Sequence, residues 1–194
     1  LPASWSEWRD TGITGDLMVE VHDLNRLADE LVHLGFTDAM ATAAPSGTAS
    51  IHLNLSESLG MLAWRGELSA TGRVLGLSDE MALQAVVSRR EGMWRLSDMD
   101  MRLAGSHLHA VASGGIASGE LAGDLTWTIP DVGRFATVLP PEWRPEGAFS
   151  IDANLRGLWG HPSVVARVTG ADVQLVGQTA ERLEGRVTFD RQKI

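Results

Sequence analysis

The sequence predicts a mostly β protein, an extended antiparallel sheet interrupted by two short helices. Three observations carry that expectation. Apolar residues recur at every second position through most of the chain, the period of a strand with one apolar face. Gly, Asp and Asn punctuate these runs every ten residues or so, as in a meander of hairpins. A passage of strand, short helix and strand also occurs twice, as in chains built by repetition. Its first copy runs Gly15-Asp16-Leu17 through Val21, then Asp23 to Leu31; its second runs Gly123-Asp124-Leu125 through Ile129, then Asp131 to Leu139 (123 − 15 = 108). Beyond each helix, Gly47, Ser50, Ile51, Asn54 and Leu55 return as Gly147, Ser150, Ile151, Asn154 and Leu155 (147 − 47 = 100).

Each element follows from its pattern. Leu17, Val19 and Val21 share one face, with Met18, Glu20 and His22 opposite. Behind Asp23 as N-cap, Leu24, Leu27, Ala28, Leu31 and Leu34 form one apolar stripe, which predicts a helix over 24–34. Ile51, Leu53 and Leu55 alternate with His52, Asn54 and Ser56; Leu62, Trp64 and Leu68 follow, then Leu83, Ala85 and Val87. Trp94 and Leu96 share a parity that slips to Met99, Met101 and Leu103, which predicts a bulge or tight turn near Ser97. Leu108, Ala110 and Ala112 precede the glycine-rich run 113–119, read as a hairpin connection and the best internal boundary. Leu121, Leu125, Trp127 and Ile129 come next. Asp131 then caps a second helix over 132–139, with Val132, Phe135, Ala136 and Leu139 on one face and Pro140-Pro141 stopping it. Phe149, Ile151, Ala153 and Leu155 lead on to Val164, Ala166 and Val168, then Val173 with Leu175, and Leu183 with Val187 and Phe189. Each helix, apolar on one side and flanked by strands, is expected to lie on the sheet as a lid or end plug. The units are 1–112 and 113–194, within one elongated domain.

Composition narrows the function. The chain has 194 residues and is 44% hydrophobic, enough for a sizeable core. Its net charge of −9, with no cluster of Lys or Arg, argues against nucleic acid and against anionic lipid headgroups as partners. Cysteine is absent, so disulfides and thiolate metal sites are excluded. No stretch approaches the roughly 20 apolar residues of a membrane-spanning helix. The opening Leu1-Pro2-Ala3-Ser4 is neither an initiator methionine nor a signal peptide, so the chain reads as a segment of something longer or a mature product.

Reactive groups are sparse. His107 and His109 share a strand face, as in some metal sites, but as polar-face residues alternating with Leu108 and Ala110 they have a simpler account. Asp98 and Asp100 likewise share a face, as acid–base pairs do, and alternate with Met99 and Met101. His22, His33, His52 and His161 are scattered. The run 113–119 lacks the Lys and Ser/Thr of a phosphate loop. No nucleophile stands beside a base, so no metal, cofactor or catalytic residue is expected. Seven tryptophans remain, with no tyrosine. Trp64, Trp94 and Trp127 sit on the apolar parity, either filling a core or presenting a surface to an acyl chain.

The second unit carries a pattern. A short helix ending in Leu139-Pro140-Pro141 leads to Gly147 through Gly157, then Pro162, an alternating strand ending at Gly170, and Ala171-Asp172-Val173-Gln174-Leu175. This resembles the repeating units of the TamB family, within the AsmA-like envelope proteins. The likeness covers 123–190, covers 13–77 more loosely, and departs where Leu59-Gly60-Met61-Leu62 replaces the proline stretch. The resemblance implies a curled, taco-shaped sheet with an apolar interior, on a periplasmic protein anchored in the inner membrane. It implies transport of phospholipid toward the outer membrane, or insertion of outer-membrane proteins with a barrel partner. It brings no catalytic residues.

The expected groove lining is the apolar parity: Leu17, Val19, Val21, Ile51, Leu53, Leu55, Leu62, Trp64, Leu83, Trp94, Leu96, Leu125, Trp127, Ile129, Phe149, Ile151, Leu155, Val187 and Phe189. Lipid acyl chains and neighbouring repeats of the parent chain are the expected partners, and open edges predict edge-to-edge dimers. Two alternatives stay open. One is a closed sandwich serving as a structural or adhesive repeat. The other is an enzyme or sugar-binding domain on a jelly-roll-like scaffold, using Trp and Asp on one concave face.

Overall fold

The computed structural model describes residues 14–23, 26, 46–56, 63–73, 77, 80–137, 146–158, 161–175 and 178–190. Among the described residues, ten strands follow one another in a single antiparallel sheet whose spatial order is the chain order. They are β1 (Gly15–Val21), β2 (Ser46–Ser56), β3 (Ala63–Arg73), β4 (Glu80–Arg90), β5 (Met93–Leu103), β6 (Ser106–Gly115), β7 (Glu120–Ile129), β8 (Glu146–Leu158), β9 (His161–Leu175) and β10 (Gln178–Asp190). The sheet is open: β1 and β10 each pair on one side. Pairing runs unbroken through the glycine-rich run, where β6 and β7 join with Gly114 opposite Leu121.

The sequence repeat is a repeat of register. Asp16 pairs with Asn54 as Asp124 pairs with Asn154. In both copies the Asn Nδ2 donates to the Asp Oδ1, at 2.9 and 2.8 Å. Ile51 lies opposite Leu68 as Ile151 lies opposite Val168 (151 − 51 = 100). The correspondence reaches further than the sequence revealed, because Leu83 lies opposite Ala70 as Leu183 lies opposite Gly170. Thus β1–β4 recur as β7–β10, and the hairpin β5–β6 stands between the copies.

Turn chemistry sets the hairpins. Glu91-Gly92 and Ala104-Gly105 both have φ near 50° and 74°, the two left-handed positions of a type I′ turn that matches strand twist. Gly47 and Gly72 lie inside strands rather than at turns. Gly47, at φ 137°, faces Gly72 across β2 and β3, and a Cβ on either would stand 2.1 Å from a carbonyl oxygen of the other strand. Close backbone approach explains them.

The bulge near Ser97 is present. Val87 faces Leu96 and Val86 faces Asp98, so Ser97 is the extra residue, its Oγ donating to the Val86 carbonyl at 3.3 Å. On the other side, Leu96 faces Ala112 and Met99 faces Ala110.

One of the two expected helices requires correction. The second is a 3₁₀ turn over Val132–Phe135, not a helix to residue 139, and 138–139 lie outside the described residues. Asp131 does cap it, accepting from the Gly133 amide at 2.9 Å. With Gly133 in its first turn and Pro140 close ahead, the segment has too little favourable backbone for a full α-helix. The first helix, 24–34, lies outside the described residues apart from Arg26, whose amide donates to Asp23 Oδ1 at 3.3 Å. The 3₁₀ turn does act as an end plug. Phe135 meets Trp127 edge to face at 6.0 Å and joins Leu77, Ala104 and Ile129 in a buried cluster flanked by Phe149. Buried Ser106 accepts from Trp127 Nε1 at 3.0 Å and donates to the Leu103 carbonyl at 2.6 Å.

Candidate apolar face

Register assembles the alternating residues into continuous rows across the sheet. The first row is Leu17, Leu53, Gly66, Val87, Leu96, Ala112, Gly123, Leu155, Val164 and Phe189. The second is Val19, Ile51, Leu68, Ala85, Met99, Ala110, Leu125, Ala153, Ala166 and Val187. The third is Val21, Ala49, Ala70, Leu83, Met101, Leu108, Trp127, Ile151, Val168 and Gly185. No polar residue interrupts any of the three. At about 4.8 Å between neighbouring strands, each row is about 43 Å long.

The remaining expected lining residues fall on the same face. Leu55 and Trp64 face each other at one end with Trp94, which pairs with Arg89. Ile129 and Phe149 face each other at the other end. Leu62 lies outside the described residues. The bulge is what keeps β5 in phase, since if Ser97 took an ordinary paired place in the strand Met99 and Met101 would turn to the opposite face.

Burial along the rows is graded. Ala85, Leu108 and Ala110, near the middle strands, are 6–8% exposed, whereas Leu17 at one edge is 48% exposed and Phe189 at the other is 53%. The larger interior side chains, among them Ile51, Leu53, Leu96 and Leu155, are half-buried. Among the described residues no large side chain is completely buried. No helix among them is long and apolar enough to cross a membrane. Protein-family models, curated proteins and solved structures were compared with this chain, and none matches.

The opposite face is polar and stitched by cross-strand pairs. Ser50 and Ser69 hydroxyls lie 2.7 Å apart, Thr126 donates to Asp152 at 3.2 Å, and Arg167 binds Glu184 at 2.6 Å. Shallow clefts open among these side chains. One of about 710 Å³ is bordered by Asp124, Asp152, Asn154 and Arg167, and another of about 350 Å³ by His52, Glu67, Gln84, Asp98 and Asp100. The Asp and His pairs of the sequence meet on this face, because Asp100 lies opposite His109. His107 Nε2 is hydrogen-bonded to Asp100 Oδ1, and this contact holds the exposed Asp100 carboxyl below its usual range. Sequence reasoning treated the two pairs separately. The signal that joins them is the two-residue turn Ala104-Gly105, which fixes Leu103 opposite Ser106 and so the register of every pair behind it. Trp64, Trp94 and Trp127 lie on the apolar face and Asp98, Asp100, Asp124 and Asp152 on the polar one. Among the described residues, therefore, these strand tryptophans and aspartates do not share a face.

Proposed function

We propose that this chain is a noncatalytic segment of a TamB-like, AsmA-like envelope protein. In this reading it stands in the periplasm on an inner-membrane-anchored parent, and its apolar face accepts lipid acyl chains moving between the membranes. Assistance to outer-membrane protein assembly with a barrel partner belongs to the same reading. The observation that carries it is the uninterrupted apolar face, three rows deep across ten strands and only half covered. A sheet with one such face must cover it with another layer or with a ligand. Greater burial at the middle strands than at both edges supports a sheet curled about its centre, open along its rims. A bilayer hydrocarbon core of about 30 Å is two acyl chains deep, so a single chain fits well within rows of about 43 Å.

Titration of a fluorescent fatty acid into the chain tests this. Saturable binding, displaced by phospholipid, is the expected result. Leu53→Asp and Ile151→Asp should each weaken it by at least about fivefold, because an unpartnered polar group pressed against acyl chains costs about 1–3 kcal/mol and a charged one more. Ser69→Asp, on the polar face, should leave affinity unchanged. Absence of saturable binding, or equal loss from both faces, would sink the proposal. A closed sandwich is the competing reading, favoured by the buried cluster around Ile129 and Phe135 at one end. It expects the interior to be dry and the fatty acid to be excluded.

A further inference from the structure

The polar face holds a constellation that lipid binding leaves unused. On β5, Asp98 and Asp100 project to the side that β6 presents as His107 and His109. His109 Nδ1 stands 3.7 Å from Asp98 Oδ1 and 3.6 Å from Asp100 Oδ2, and donor atoms of the three residues all lie within 4.8 Å of one another. Two ligands each about 2.1 Å from a tetrahedral zinc ion are about 3.4 Å apart. The two imidazole–carboxylate separations lie within about 0.3 Å of that value, and the carboxylates, within 4.8 Å of each other, need only close on the ion. A mixed imidazole and carboxylate set also has the right chemistry, since neutral imidazole suits zinc and its neighbours while two carboxylates offset the ion's charge. His107 bonds the other Asp100 oxygen, the outer-shell contact that orients a metal-binding carboxylate. The ligands stand on paired strands rather than on a loop, and the cleft of about 350 Å³ bordered by Asp98 and Asp100 gives solvent access. Arg102, opposite His107 in register, and Arg95 are the positive charges of β5.

We propose that Asp98, Asp100 and His109 bind a divalent transition-metal cation of the zinc class, with His107 positioning Asp100 and water completing the coordination. The bulge at Ser97 has a second consequence here, because the phase slip that keeps the methionines on the apolar face also turns both carboxylates toward the imidazoles.

Zinc titrated calorimetrically into the metal-free, untagged 194-residue chain tests the site. One saturable site per chain is expected. His109→Asn and Asp98→Asn should each weaken it more than about tenfold, exceeding the least effect of losing an outer-shell partner. His161→Asn, away from the cluster, should leave it unchanged. Both ligand positions are exposed, so the variants should fold, which circular dichroism checks. Cobalt in place of zinc gives a second readout, visible absorption that should be lost in His109→Asn. No saturable binding, or wild-type affinity in both ligand variants, would overturn the assignment.

Discussion

Asp16 and Asn54 show how a single side-chain pair records the history of the chain. Their hydrogen bond spans two strands separated by a long connection, and Asp124 with Asn154 reproduces it within 0.1 Å (2.9 − 2.8). Cross-strand pairs of this kind contribute about 0.2–1 kcal/mol each, so they select register more than they determine stability. Strain at the residue scale is concentrated in the I′ turns. Glu91 holds φ 51° without the glycine or asparagine that tolerates this region. Its ion pair with Arg90, at 3.6 Å and largely exposed, offsets little of that cost. Glu91→Asn should therefore stabilise the chain by about 0.5–1 kcal/mol. In thermal melts that is a rise of about 1–4 °C. An unchanged or lowered Tm would show that the turn is not limiting.

At the scale of the element, β5 is decided by one inserted residue. Removing Ser97 leaves Leu96, Asp98 and Met99 consecutive, so alternation becomes regular and every apolar side chain of β5 keeps its face. Its deletion should be tolerated, with Tm changed by less than about 5 °C, since the loss is one side-chain hydrogen bond. Deleting Gln84 from β4, which has no spare residue at that point, should unfold the chain by sending Leu83 and Val87 to opposite faces. Circular dichroism and melting of the two deletions decide the matter. The contrast also marks what was legible beforehand. Alternation is local, so the faces of Leu17, Ile51 or Leu125 and the phase slip at Ser97 could be read directly. The 3₁₀ turn looks like a longer helix in the sequence because Val132 and Phe135 fit a helical stripe, but Gly133 within it and Pro140 just beyond make that helix costly. The meeting of Asp100 with His109 was not read because it depends on pairing between strands. The turn at Ala104-Gly105 would have supplied that pairing.

At the scale of the whole molecule, the described strands form one open sheet, and its two edges have counterparts inside it. By register β10 repeats β4, whose far side is covered by β5, and β1 repeats β7, whose far side is covered by β6. Each outer edge thus has the geometry of a strand that elsewhere in the same sheet accepts a neighbour. Both edges also present apolar side chains, with Leu17 and Val19 on β1 and Leu183, Val187 and Phe189 on β10 between 39% and 57% exposed. Unpaired edge backbone beside exposed apolar surface favours strand addition. The chain is therefore expected to self-associate through its edges, with weight-average mass rising with concentration in sedimentation equilibrium. Val187→Lys places an inward-pointing charge on an edge strand, a recognised block to edge pairing. It should weaken association by about tenfold, a change of about 1.4 kcal/mol. Ser69→Asp, on the polar face of interior β3, should have no such effect. A chain that stays monomeric at high concentration would mean that the edges protect themselves, through the charges of Glu181, Arg182, Glu184 and Arg186 along β10. The open rim would then be available to ligand rather than to a second copy.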